Sequence, residues 1–216
     1  MIDANTPNID PANKGSLAGM MREVLTAWLR GEVDDCLPAK VVSYDRAKNR
    51  ASVQILVNVV GTSGEVIPRA VVQSVPVFTY SGGGFVINFP CKAGDHGWLK
   101  AADRDTSLHL QNGQAAKPNT KRLHSFEDGL FMPDMIQGYT ISGEDAGSLV
   151  IQNVAGTVRV AISDTAIKLT AGSASVTVKD GHVDIAGQLT NNGVNIGSMH
   201  HHGGVQTGTG NTGGPA

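Results

Sequence analysis

The sequence predicts a mainly β protein in which an N-terminal helix is followed by a small β-barrel and then by a run of short, regularly spaced strands. Three observations predict this fold class. One stretch has apolar residues at helical spacing, short apolar runs separated by turn residues follow it, and further runs then recur at nine-residue steps. Aromatic residues make up only 5% of the 216 residues and 27 are glycine, which favours an elongated or assembled architecture over one large compact core.

The charge balance and the cysteines argue against several classes of protein. The formal net charge is -2 and no basic run occurs, so general binding to a nucleic-acid backbone is not indicated. Cys36 and Cys91 match no metal or redox spacing, which predicts two reduced and packed thiols. No signal-peptide pattern and no stretch near the roughly 20 apolar residues of a spanning helix are present, so we expect synthesis in the cytoplasm without a signal peptide.

The N-terminal region predicts a loosely attached arm over residues 1–15 and then an amphipathic helix from Leu17 to Arg30, with Gly31 where the helix is expected to stop. The apolar stripe of this helix consists of Leu17, Met20, Met21, Val24, Leu25, Trp28 and Leu29. The simpler interpretation is that the stripe packs on the following domain. The alternative is that it docks on a neighbouring subunit, with Trp28 as an anchor.

The region from Ala39 to about Leu130 predicts a small β-barrel of five short strands, for which the oligonucleotide/oligosaccharide-binding (OB) type is the commonest architecture of that size. The first strand is expected to begin with Val41 and Tyr44. The other four are expected to cover Ala51–Val60, Ala70–Tyr80, Gly84–Phe89 and His96–Ala101. Few aromatic residues occur here, and aspartates are interspersed with the basic residues. The barrel is therefore interpreted as an adaptor and not as a single-strand binder.

Five short motifs in this region carry a family resemblance. They are Val75-Pro-Val77, Ser81-Gly-Gly-Gly84-Phe-Val-Ile-Asn-Phe-Pro90, Ala93-Gly-Asp95-His-Gly97-Trp-Leu99, Asp103-Arg104-Asp105 and Arg122-Leu-His124-Ser-Phe-Glu-Asp128. Their order and spacing resemble the N-terminal OB domain of the central spike proteins of contractile-tailed phages, which are the membrane-piercing spikes of Mu-like and P2-like phages. Within the pattern, glycine and proline are expected to serve tight turns, and Asp103-Arg104-Asp105 to fix a loop.

An enzyme is the alternative to this interpretation, because several acid and base side chains occur close together in the sequence. They are Asp103, Asp105, His109, His124, Glu127 and Asp128. These residues lie in ordinary turn contexts, and the chain contains neither a G-x-S-x-G element nor a Cys/His signature. We therefore expect solvated or structural charge and no catalytic residues.

From Ser148 onward the sequence repeats one short strand plus one turn. The leading apolar residues Leu149, Val158, Ile167 and Val176 step by nine, and the next, Val183, by seven. Each strand offers only two or three small aliphatic side chains, so one chain cannot build a sufficient core from them. The alternatives are a single-chain solenoid or three interwoven chains, each supplying one face of a prism, with backbone pairing between chains. The family resemblance implies the second, an intertwined trimeric β-helix.

The C-terminal segment contains His200-His201-His202, followed by a Gly/Thr-rich tail that ends in Gly-Pro-Ala. In an extended backbone His200 and His202 point to one side, and three copies would bring six imidazoles, enough for an octahedral metal site. The segment resembles the His-x-His apex of the same spike family, which implies that His200 and His202 of three chains bind one iron ion. Because His201 is itself a histidine, the sequence leaves open which pair of the three histidines points inward. The alternative to a metal site is a polar tail or the remnant of an affinity tag. The remaining histidines are expected to be turn or surface residues: His96, His109, His124 and His182.

Together these features predict a homotrimeric central spike, located at the baseplate tip of a virion, that docks to the tail hub and mechanically pierces the host outer membrane. Leu17, Met21, Val24 and Trp28 are the expected hub-docking residues. The alternatives are an OB-fold protein that binds single-stranded nucleic acid or a glycan, and the spike of a tailocin or secretion system. The predicted domains are 1–34 for the arm and helix, 35–135 for the OB domain, 136–196 for the trimeric β-helix and 197–216 for the metal-binding tip.

Overall fold

The structure is a computed structural model that describes residues 15–135, 138–198 and 208. It is mainly β, as the sequence predicts, and it divides into two compact units, Met1–Gln137 and Gly138–Ala216. In the described part of the chain, no helix is both long and apolar enough to cross a membrane.

Helix α1 spans Leu17–Glu32, which confirms the predicted helix and extends it past Gly31. Ser16 caps its N-terminus, since the Ser16 hydroxyl oxygen accepts a hydrogen bond from the Gly19 amide at 3.0 Å. Leu17 is 73% exposed, and every other member of the apolar stripe is more than half exposed. The interpretation that the stripe packs on the following domain is therefore wrong.

The rest of the first unit is built from nine strands and one further helix among its described residues. They are β1 (Cys36–Asp45), β2 (Arg50–Ile55), β3 (Val59–Val60), β4 (Val66–Ile67), β5 (Val71–Pro76), β6 (Tyr80–Gly82), β7 (Phe85–Ile87), β8 (His96–Ala102), α2 (Ser107–Asn112) and β9 (Ser125–Pro133). Five of the strands form an antiparallel sheet in the order β5-β2-β1-β8-β9. Val77 and Phe131 form a parallel bridge, and the Phe78 amide donates to the Phe131 carbonyl at 2.8 Å, which brings the two edges of the sheet together. The result is a nearly closed, barrel-like sheet.

The barrel core is formed by alternate residues of the five strands, as expected for a sheet with one buried face. Its largest fully buried side chains are Phe131, Leu99, Val41, Val53 and Val75. Along β2 every second residue is buried. Both cysteines are free, and Cys91 packs half-buried against the core, where burial raises the pKa of its thiol. Cys36 is exposed, so the prediction that it is packed is wrong.

One of the predicted barrel strands is wrong, and another is too long. The segment predicted as the fourth strand forms β7 of a separate two-stranded hairpin, β6–β7, in which Phe85 is 84% exposed. Its place in the sheet is taken by β9, a strand that was not predicted and that contributes Phe131 to the core. The predicted second strand is also too long, because it ends at Ile55 and the following apolar residues form the hairpin β3–β4.

Gly97 has a different role from the tight turn expected of glycines in the family pattern. It lies within β8, paired with Ala39 on one side and Pro133 on the other. A Cβ atom at this position would lie 2.2 Å from the Met132 carbonyl oxygen and 2.7 Å from Phe131 Cζ. Glycine is therefore required here because two strands and a core aromatic ring approach closely.

The second unit contains seven short strands and a 3-10 turn among its described residues. They are the turn Gly143–Asp145 and the strands β10 (Leu149–Gln152), β11 (Val158–Ile162), β12 (Ala166–Ala171), β13 (Ala174–Lys179), β14 (His182–Ala186), β15 (Thr190–Asn191) and β16 (Val194–Asn195). Strands β10 to β14 pair antiparallel in chain order and form a five-stranded meander. Each predicted repeat is a strand, but β11, β12 and β13 have both of their backbone partners inside the same chain, which differs from the expected pairing between chains. They also do not form the coils of a single-chain solenoid.

Candidate functional site: an exposed apolar sheet face

One face of the meander carries two unbroken rows of apolar side chains. Residues paired directly across an antiparallel sheet share a face, so the register defines each row. The first row is Leu149, Ile162, Ile167, Val178 and Val183, and the second is Ile151, Val160, Leu169, Val176 and Ile185. We call these ten residues the apolar sheet face.

The apolar sheet face is open to solvent in the isolated chain. Eight of its members are exposed, Leu149 most of all at 65%, and Val160 and Val176 are half-buried. A shallow apolar groove runs beside the second row, because the small residues Ala171 and Ala174 follow it. Among the described residues of this unit only Asp145 and Ala161 are buried, so the meander is a single layer without a core of its own.

The opposite face of the meander is polar and is tied to the turn that precedes it. Arg159, on this face because its neighbours Val158 and Val160 point to the other, forms an ion pair from Nε to Asp145 Oδ2 at 2.6 Å and a second with Glu144. Lys168 Nζ lies 3.3 Å from Glu144 Oε2. Ion pairs therefore hold the polar face of the sheet to the preceding turn, while the opposite face is apolar.

The predicted metal ligands His200 and His202, and His201 between them, lie outside the described residues. The proposed hub-docking residues Leu17, Met21, Val24 and Trp28 are described and lie on one exposed side of α1. Sequence reasoning found the members of the apolar sheet face as repeat positions, but not the register that aligns them in rows.

The acid and base residues considered as catalytic candidates fall into separate groups. Arg122 collects three carboxylates. It holds Asp128 with two hydrogen bonds of 2.9 and 3.1 Å, Glu127 with one of 2.8 Å, and lies 3.7 Å from Asp105. His109 lies apart in α2, where its Nδ1 is 2.9 Å from the Gln114 carbonyl oxygen.

Hydrogen bonds within this group shift two pKa values. Side-chain and backbone hydrogen bonds to Ser107 are the main reason why the pKa of Asp105 lies well below its usual range, with smaller contributions from Thr120 and Arg122. The hydrogen bond to Asp128, with the nearby carboxylates, raises the pKa of Arg122. Both shifts favour the charged forms, as expected of an ion-pair cluster that fixes a loop, which is the role expected for Asp105 in the family pattern.

The other two candidates, Asp103 and His124, lie close together with Asp35. Their ligand atoms are all within 4.8 Å of one another, and Asp103 Oδ1 is 3.8 Å from His124 Nδ1. Asp35 directly precedes β1, Asp103 directly follows β8 and His124 directly precedes β9. These three strands are adjacent in the sheet. Sequence reasoning missed Asp35 because only the strand order brings it there. All three side chains are exposed. His96 differs from its expected surface position, since it begins β8 and is half-buried.

Comparison with known proteins covers the barrel alone. No curated protein matches this chain. Residues 37–134 match the family model described as Phage protein Gp138 N-terminal domain, which is less than half of the chain and coincides with β1 to β9. The chain is thus similar to a phage protein over its barrel, and this match supports a phage structural protein with a virion-associated location.

Proposed function

We propose that this protein is the central spike of a contractile injection tail, assembled as a homotrimer that pierces the host outer membrane by mechanical force. The observation that carries the proposal is the apolar sheet face, which a single chain leaves uncovered. Burying an apolar side chain of this size stabilises an assembly by about 1.5–3 kcal/mol. Ten such side chains on one face make association of the sheet strongly favourable.

Three copies are proposed because three flat sheets can enclose one axial core, with each chain supplying one side of a prism. Two facing sheets would cover the same residues, but they would leave the outer strands β10 and β14 as open edges on both sides. In a prism the outer strands of neighbouring chains come together at the corners. The resemblance to the spike family supports the same number of copies.

The C-terminal tip is proposed to hold one metal ion per trimer through His200 and His202 of each chain. Six imidazole nitrogens suit an octahedral first-row divalent ion, and iron is the metal that the resemblance implies. Bound at the apex, the ion would tie the three chain ends together. No bond-breaking step is proposed for this protein, since force from the contracting tail supplies the work.

The barrel and α1 are proposed to attach the spike to the tail hub and baseplate. The match of residues 37–134 to a phage protein domain supports an attachment role for the barrel. The exposed stripe of α1 supports a partner for the helix, because an apolar stripe with no cover on its own chain is unfavourable in water. Spikes of tailocins and secretion systems have the same design and are included in this proposal.

Light scattering on the purified full-length chain tests the assembly. We expect a mass of three chains, unchanged on dilution through the micromolar range. A monomer or a dimer as the sole species would contradict the proposed spike. For the piercing role, phage particles assembled with a chain that cannot trimerise should adsorb to cells but fail to deliver DNA, and normal delivery by such particles would contradict it.

A further inference from the structure

Four apolar residues of α1 have the spacing of a coiled-coil seam. Leu17, Met21, Val24 and Trp28 follow one another at intervals of four, three and four residues, which is the alternation of the d and a positions of a heptad. This alternation places the four side chains on one side of the helix, where they can face neighbouring helices. We call these four residues the helix seam.

The helix seam has no cover on its own chain within the described residues. Its side chains are 57–73% exposed, and the sheet residues of the barrel are packed against one another instead. Met20 and Leu25 flank the seam and are also more than half exposed. This wide apolar surface is more than a single partner helix covers, because a pair of helices buries mainly a and d positions.

The charges of α1 allow identical helices to lie side by side. Its sequence contains Arg22, Glu23, Arg30 and Glu32, so two positive and two negative side chains cancel. The helix therefore carries no net charge that would oppose the approach of identical copies. In a threefold assembly all copies run in the same direction, and only residues 33–35 separate each helix from β1 of its own barrel.

We propose that the α1 helices of three copies pack together through the helix seam as a parallel three-helix bundle. This inference rests on the proposed trimer, which keeps the three helices at high effective concentration although each has only 16 residues. The tail hub would then contact the outside of the bundle, where Leu29 lies beside the seam, instead of binding the seam of a lone helix. The occupant of the helix seam is thus a second and a third copy of this chain.

Cysteine crosslinking tests the bundle in the full-length chain. In a Cys36→Ser, Cys91→Ser background, Val24→Cys places a thiol at a seam position, and Thr26→Cys is the matched control on the opposite side of the same helix. Mild oxidation is expected to link two of the three chains through Val24→Cys and none through Thr26→Cys, because a disulfide needs Cα atoms within about 7 Å. A barrel melting temperature within about 2 °C of the background chain shows that each variant is folded.

The outcomes separate this inference from the proposed function. If light scattering gives a trimer but the two cysteines crosslink equally or not at all, the bundle is wrong and the spike proposal stands. A monomer overturns both. A second variant, Val24→Glu, should lower the helix signal in circular dichroism while the mass stays that of a trimer. An unchanged helix signal in the isolated trimer means that the seam serves only the hub, which also overturns the bundle.

Discussion

Arg122 shows how single residues of the barrel fix a loop. Its guanidinium binds Asp128 with two hydrogen bonds, and the side chain of Asp128 is almost completely buried. Asp105, also buried, accepts from the Ser107 amide at 2.9 Å and so holds the start of α2. The segment between β8 and β9 is therefore held at both ends by charge-assisted hydrogen bonds, which are stronger than neutral ones. Ion pairs and hydrogen bonds to Arg122 and Ser107 therefore give these buried carboxylates a structural role.

Asp105→Asn is expected to destabilise the barrel near neutral pH and to flatten its response to acid. The pKa of Asp105 in the folded chain lies below its ordinary value of 3.8. Below that value the unfolded chain binds more protons than the folded chain, so the stability that Asp105 contributes is present at higher pH and is lost as the pH falls. Denaturant unfolding between about pH 6 and about pH 3 measures this contribution.

Asp103→Asn is the matched control for this prediction. Its side chain is 82% exposed, so we expect little change in the free energy of unfolding or in its pH dependence. Equal pH profiles for Asp105→Asn and the wild-type chain would show that the loop does not depend on this carboxylate.

The meander depends on a face that its own strands cannot cover. Val176 and Thr177 are adjacent in β13 but point to opposite sides, since Val176 pairs with Leu169 and Ile185 while Thr177 pairs with Lys168 and Asp184. The same substitution at these two positions therefore distinguishes an effect on the apolar sheet face from an effect on strand β13 itself.

Val176→Asp is expected to convert the assembled protein into monomers or non-specific aggregates, because it would bury a carboxylate without a partner in the proposed core. Thr177→Asp, at the polar face, should leave the mass of the assembly unchanged. Size-exclusion chromatography with light scattering measures both. If the two variants have the same mass as the wild-type chain, the apolar sheet face is not an interface.

Elements with an uninterrupted pattern were predicted well, and elements with a mixed pattern were not. The α1 stripe and the strands of the meander follow from periodicity. Strand β9 was missed because its first half, which contains Glu127, Asp128 and Gly129, resembles a turn, although Phe131 in its second half is in the centre of the core. The alternation of apolar residues along a strand does not identify the strand with which it pairs. Pairing within one chain and pairing between chains therefore give the same sequence pattern.

At the scale of the whole molecule, the sequence predicts which surfaces lack cover more readily than it predicts which partner covers them. The nine-residue repeat correctly indicated strands without a sufficient core, whereas the proposed number of three copies depends on the family resemblance. The Asp35, Asp103 and His124 cluster depends on strand order and was not predictable. The proposed His200 and His202 site would need several chains, so its metal content is best tested on the assembled protein.

Metal analysis of the assembled protein is expected to give one ion per three chains, with iron as the element. His200→Ala combined with His202→Ala should abolish the bound metal, because each trimer would lose six proposed ligands. His182→Ala, which changes an exposed histidine of β14, is the control and should retain the metal. His201→Ala should also retain it if His201 points outward. Retention of stoichiometric metal by the double variant would rule out the proposed apex.

Strands β10 to β14 pair with one another within one chain, and this affects how the proposed trimer would assemble. Newly made chains do not have to thread through one another or exchange strands before their sheets exist. In the proposed trimer, association would consist of docking preformed surfaces, and its rate would rise with the concentration of complete chains. A chain that has not yet docked exposes a broad apolar surface. Slow expression or truncated copies would therefore favour non-specific aggregation over correct assembly.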